Sequence, residues 1–420
     1  MQKLKQILSP RIIVMVLTIA IFAYSLTVVD RPSQSQTQGI VTVMAVDMAD
    51  DKIQLACSII TPTGQTSAKS SVYSTEADSM GEAVELLGMQ LGKDLGFAQC
   101  DVIAVGPKIV EKGVIRALDY FTRTKKVGKN VLLVNFDGKT DEFIKSSIYL
   151  QESLSLKLSQ ILMFNKEFML AVDSNLENFY LGYYADSGIS IVPKIMLTKE
   201  ENPDGIEIQL TQMQSSTATS ASSQSSGESS SGQSQDEKLF FVNDGTTTVL
   251  KNGKKLVDII PDDIAKINLF IQNSKYGVYK VEGITDDIYN DASVIMELES
   301  KNSDVRYHFK NGKPIVKLDL TMYLQVEEVI ENSKNENLLV REDKLVTKAV
   351  VEKLREDLNK DLEFCVNFMK EKNIDLLGIE GWFNKFHYKK WQKYKSKEEN
   401  KENVLKNIEF EWKIDIAQYL

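Results

Sequence analysis

Four hundred and twenty residues, 43% hydrophobic and 26% charged, are too many for one ordinary core and too evenly mixed for a disordered chain or a multi-pass membrane protein. Fifty basic against fifty-nine acidic residues leave a net charge of −9, the wrong sign for a surface that neutralises nucleic-acid phosphates. Three cysteines and two histidines supply little material for a metal site, a disulfide framework or a cysteine and histidine catalytic pair, so no cofactor, metal or catalytic residue is expected.

In chain order, the first feature is an uncharged run of eighteen residues from Ile12 to Val29, about the minimum for a spanning helix. Lys3, Lys5 and Arg11 precede it, which by the positive-inside rule leaves the N-terminus in the cytoplasm and everything after Asp30 outside. The competing reading is a cleaved signal peptide, with Ala23-Tyr24-Ser25 as the small-x-small site. Apolar residues continue past that site to Val29, which favours the anchor. No cysteine occurs before Cys57, so the tether is the helix and not a lipidated cysteine.

After a polar spacer, Ile40 to Val46 and then Ile53, Leu55, Cys57 and Ile59 alternate as strands do. Ser79-Met80-Gly81-Glu82 fits a capping box, and Met80, Val84, Leu87 and Leu91 follow at helical spacing up to Gly92. A strand from Asp101 to Val105, one helix from Pro107 to Arg123, a strand from Asn130 to Phe136 and a helix from Asp141 complete an alternating α/β pattern. Strand-like Ile206, Ile208 and Leu210 then lead into residues 215–235, where eleven of twenty-one positions are serine. Without large apolar groups that tract cannot offset its ordering entropy and is expected to be disordered, as a linker or a hairpin insertion.

Leu239 to Val242 reads as a strand. Val249-Leu250 and Leu256-Val257 flank Asn252-Gly253, a hairpin signal, and Pro261-Asp262-Asp263 opens a short helix. Val294, Met296 and Leu298, then Val316 to Val326, then Ile408 to Ile416, each alternate with polar neighbours as strands. Val351, Leu354, Leu358, Leu362, Cys365 and Met369 form the stripe of a long amphipathic helix laid on that sheet. The expected fold is mixed α/β and α+β: an N-terminal transmembrane helix followed by two to three extracytoplasmic domains, each a sheet with flanking helices. The expected divisions are a cytoplasmic N-terminus (1–11), the anchor (12–29), a spacer (30–38), an α/β domain (39–212), the serine-rich insertion (213–236), a small α+β unit (237–290) and a C-terminal sheet with the long helix (291–420).

No phosphate-binding glycine loop, serine-nucleophile elbow or zinc-protease motif occurs in the chain. His308 and His387 read as ordinary surface histidines, and Cys57, Cys100 and Cys365 as buried thiols. Asp173 to Asn178 offers calcium-like oxygens but no glycine at the sixth position, and reads better as a helix start. The segment from Trp382 to Lys393 interleaves aromatics with lysines. Trp382, Lys389, Lys390, Trp391 and Lys393 are the candidate contacts with a partner or a membrane, against the plainer reading of a solvated helix. Trp382 and Trp391 are nine apart, about 180° of helical rotation, so either one is exposed or the helix breaks between them.

Taken together, Ser79-Met80-Gly81-Glu82-Ala83, Asp101 to Gly106, Leu118-Asp119-Tyr120-Phe121 and Val131 to Val134, followed by Leu239 to Asn243 with Lys254 to Val257, and by Gly312 to Val316 with Asp375 to Ile379 and Trp391, resemble the Ger(x)C family of spore germination proteins. The resemblance covers residues 38–420. It departs from the family's usual pattern in lacking a lipobox cysteine, in Gln99 where many members have His, in Glu380 and in Tyr388. It implies a non-enzymatic C-type subunit of a germinant receptor on the outer face of the inner spore membrane, working with A-type and B-type membrane subunits. Two rivals from other classes are an anchored envelope protein that binds a small ligand or peptidoglycan fragment, and an anchored hydrolase.

Overall fold

The computed structural model describes residues 10–29, 38–61, 69–140, 142–144, 158–163, 172–199, 239–242, 245–271, 277–331 and 346–418. The serine-rich tract, the strand expected around Ile206 to Leu210 and most of the helix expected from Asp141 lie outside these residues. Pro10–Val29 is helix α1, and its described side chains, from Val14 to Tyr24, are all exposed. Among the described residues no helix is long and apolar enough to cross a membrane. The helix runs for twenty residues, but its described side chains are the eleven from Val14 to Tyr24.

The N-terminal half is a mixed α/β layer structure. Its strands are β1 (Gln38–Ala49), β2 (Lys52–Thr61), β3 (Lys69–Ala77), β4 (Asp94–Gly96), β5 (Val102–Val105), β6 (Leu132–Asp137), β7 (Ile189–Lys199), β8 (Leu239–Val242), β9 (Thr247–Lys251) and β10 (Lys254–Ile259). They form one sheet in the order β10-β9-β7-β6-β5-β1-β2-β3, with β4 on β1 and β8 on β7. The central strands β1, β5, β6 and β7 run parallel, and the flanks are antiparallel. One face carries α2 (Met80–Leu91), α3 (Pro107–Lys112), α4 (Ile115–Thr124) and α5 (Leu176–Tyr183) over Met44, Val46, Leu55 and Ile103. The other face packs Val43, Ala45, Ala104, Val134 and Phe136 against Phe143, Ile144, Leu158 and Leu162. Alternate residues of the central strands therefore serve two cores, as buried parallel strands require.

Local chemistry explains the boundaries. Ser79 Oγ accepts the Glu82 N–H at 3.2 Å and Glu82 accepts the Asp78 N–H, the capping pair expected from the sequence. The single helix expected from Pro107 to Arg123 is two helices, because Gly113 at φ 124° turns the chain between α3 and α4. At Gly106 a Cβ would lie 2.4 Å from Asp47 Cγ, so only glycine lets β5 pass into α3 there. Asp47 Oδ1 in turn accepts the Ile109 N–H at 2.9 Å, and burial raises its carboxyl above the ordinary range. Strand β3 carries few apolar residues, Val72 and Tyr73 among polar neighbours, which is why alternation does not reveal it.

Residues 237–290, expected as a small separate unit, are shared between two sheets. The β9-β10 hairpin turns through Asn252 (φ 52°) and Gly253 (φ 74°), and β9 pairs with β7. Asn135 Nδ2 donates to Thr248 Oγ1, Thr248 Oγ1 donates to Asp258 Oδ1, and Lys194 Nζ lies within 3.4 Å of Asp258 and 3.1 Å of Asp137. Beyond α6 (Pro261–Ile271), β11 (Val278–Ile284) joins β12 (Ala292–Lys310), β13 (Lys313–Glu331) and β14 (Glu409–Gln418) in a four-stranded sheet. Helix α7 (Lys348–Lys372) buries Val350, Leu354, Leu358, Leu362, Cys365 and Met369 on it. The stripe enters at Val350, one residue before the Val351 read from the sequence. On β14, Trp412 is partly exposed and its indole N–H reaches Asn359 Oδ1 at 2.9 Å. Lys301 of β12 is buried, its ammonium donating to the carbonyls of Asn268 (3.1 Å) and Leu269 (2.6 Å) near the end of α6.

Candidate partner interface

The aromatic and lysine segment is preceded by Asp375, which is buried and whose carboxylate accepts the N–H groups of Leu377 (3.2 Å), Ile379 (2.9 Å) and Glu380 (2.8 Å). The last two donors are orphaned N–H groups at the start of α8 (Ile379–Phe386), reached through Gly378 at φ 69°. Burial pushes the Asp375 carboxyl up, and burial together with Asp375 does the same to Glu380. The chain leaves helical geometry at His387 (φ −136°, ψ 38°) and resumes as α9 (Tyr388–Lys395).

That break resolves the spacing of the two tryptophans. Trp391 is fully buried, stacked between Phe383 (5.2 Å) and Tyr394 (5.3 Å). Trp382 is half-buried, stacked on Tyr307 of β12 at 5.0 Å with Phe386 and His387 beside it. Trp391 is thus an internal pillar and not a contact in its own right, because nothing of it reaches solvent. Lys389, Lys390 and Lys393 are exposed, and Phe386 and Tyr388 expose 57% and 60% of their surfaces beside them. Spacing alone did not single out Phe386 and Tyr388 as the exposed aromatics. Asn384 Nδ2 also donates to Asp186 at 3.0 Å, a link across 198 residues that no sequence pattern announces.

The remaining candidates are structural. All three cysteines are free and buried, with burial raising the thiols of Cys100 and Cys365 to about 12. Asn175 caps α5 by accepting the Asn178 N–H at 2.8 Å, which makes Asp173 to Asn178 a helix start. His308 and His387 are half-buried. No cluster of three or more metal-ligating side chains lies among the described residues. A cavity of about 590 Å³ opens where β5 and β6 begin, walled by Asp101, Asn130, Val131 and Asp173.

Comparison with known proteins supplies what geometry does not. Residues 33–197 match the family described as spore germination protein N-terminal domain, and residues 245–417 match the one described as spore germination B3/GerAC like, C-terminal. The chain belongs to the Ger(x)C family of spore germination proteins. The two matches take in both sheets, and the serine-rich tract falls in the interval between them. The spore germination protein KC of Bacillus subtilis (strain 168) is 21% identical over 329 residues, 77% of this chain and 73% of that protein. A solved structure titled as the GerBC protein is 12% identical, with a TM-score of 0.47 over 90% of this chain and 97% of that one.

Proposed function

We propose that this Ger(x)C protein is a non-catalytic C-type subunit of a germinant receptor at the inner spore membrane, needed for the response to nutrient germinants. The observation that carries the reading is the ordered match of both halves to the two spore germination domains. Helix α1 is the single-pass anchor in this reading, spanning from Ile12 to Val29 with the N-terminus in the cytoplasm. Its described apolar side chains, among them Val16, Leu17, Ile19 and Phe22, are 56–66% exposed, a surface that water tolerates poorly and a bilayer accepts. The bulk of the chain then faces outward, where A-type and B-type subunits would meet it.

In this proposal Lys389, Lys390 and Lys393, with Phe386, Tyr388 and the exposed edge of Trp382, form the contact surface with those subunits. Trp391 and the Asp375 cap hold that surface in shape. Aromatic side chains framed by cations suit a protein interface, where aromatic anchors carry much of the binding energy. Spores carrying Lys389→Glu, Lys390→Glu and Lys393→Glu together test it. The protein accumulates normally, since all three side chains are exposed, and the nutrient response is lost. A normal response at normal abundance returns the segment to a solvated helical surface.

A further inference from the structure

A second surface lies on the N-terminal sheet's helical layer, away from the aromatic and lysine segment. Between the end of α4, the loop after it and α5 runs a groove of about 800 Å³. Its floor is apolar, with Phe121 and Leu176 almost fully buried and Val127 half-buried beneath it. Leu181 and Tyr184 stand at its lip, 67% and 74% exposed. Two large apolar groups left in solvent beside an apolar trench mark an interaction site more strongly than either would alone.

The rim has a definite charge. Arg123, Lys125, Lys126 and Lys129 fall within seven residues that hold no carboxylate. Of these, Lys125 and Lys129 line the groove; its one lining carboxylate, Glu177, pairs with Lys129 at 3.4 Å, and neighbouring Arg123 pairs with Asp119 at 2.7 Å, so the lining keeps one unpaired cation, Lys125. Lys126 instead reaches the Tyr120 hydroxyl at 3.1 Å and lines a separate cleft with Glu85 and Asp94, and Lys125 has no ion-pair partner among the described residues. In a chain of net charge −9, this local surplus runs against the overall sign.

We propose that this groove docks an amphipathic helix of a partner protein, its apolar face in the trench and its flanking side chains acidic. Charge complementarity selects the acidic flanks, and the concave shape selects a helix. A bilayer surface would instead be met by apolar side chains that protrude from a convex face. The inference stands on the groove itself and does not require the receptor reading.

The test uses the full-length protein with Tyr184→Cys, labelled by a polarity-sensitive dye and reconstituted into phosphatidylcholine vesicles. The three native cysteines are buried, so labelling falls on position 184. The probe is an eighteen-residue helical peptide with Leu at i, i+3, i+4 and i+7 and Glu on both flanks, compared with the same peptide carrying Lys for Glu. The acidic peptide is expected to shift the dye emission to the blue and saturate, and salt should weaken it. Leu181→Asp, or Lys125→Glu, should raise its Kd about tenfold with an unchanged circular dichroism spectrum. Equal binding of the two peptides, or binding untouched by these variants, overturns the proposal. A blue shift without peptide when phosphatidylglycerol is added to the vesicles also overturns it, and makes the patch a membrane contact.

Discussion

Asp375→Ala removes one buried carboxylate that satisfies three N–H groups, those of Leu377, Ile379 and Glu380, at 2.8 to 3.2 Å. Each buried donor left unpaired costs about 1–3 kcal/mol. Against that, the variant no longer desolvates a carboxylate, a burden visible in the raised Asp375 value. The net expectation is a loss of about 2–4 kcal/mol. Asp375→Asn keeps an acceptor for Leu377 and Ile379, both bound through Oδ1, and turns an amide N–H₂ toward Glu380. Its cost should be about 1–2 kcal/mol, near that of one lost bond. All three tryptophans, at 382, 391 and 412, lie in this half of the chain, so urea unfolding followed by their fluorescence reports on it directly. A loss below about 1 kcal/mol for the alanine variant, or a larger loss for asparagine than for alanine, refutes the capping account.

Lys301 gives the protein a pH dependence in the alkaline range. Burial lowers its value from 10.5 to about 8, which at about 1.4 kcal/mol per pH unit disfavours the folded ammonium by about 3 kcal/mol. The folded chain releases this proton before the unfolded chain does, so the wild type gains stability as pH rises from about 8 toward 10.5. Relative to Lys301→Met, urea midpoints at pH 7 and pH 10 should show that gain in the wild type, and a constant difference between the two proteins would contradict it. Gly106→Ala should cost about 1–3 kcal/mol, since its Cβ meets Asp47 at 2.4 Å and Asp47 is tied to Ile109. A melting temperature unchanged from wild type would count against that contact.

The sequence revealed elements best where one face is buried against one neighbour. Helix α7 and strands β12, β13 and β14 show their periods plainly because water lies on one side and a core on the other. Strand β7 was missed because Pro193 and Lys194 interrupt its apolar run, although the sheet uses Lys194 to hold Asp137 and Asp258. The polar edge strand β3 gave no alternation to read. The placement of the β9-β10 hairpin on β7 depends on pairing between residues 189–193 and 247–251, which local pattern does not encode. At the candidate interface, the lysines were legible and their exposure follows. The burial of Trp391 was not, because it depends on the kink at His387 and on stacking with Phe383.

If this Ger(x)C chain works inside a receptor complex at the membrane, it should co-purify with its membrane partners. The most direct measurement is purification of the full-length, C-terminally tagged protein from detergent-extracted spore membranes, with quantitative detection of its A-type and B-type partners. The chain should be recovered uncleaved from the membrane fraction with both partners in fixed proportion. Recovery of a shortened chain from the soluble fraction, or of the intact chain without either partner, would contradict it.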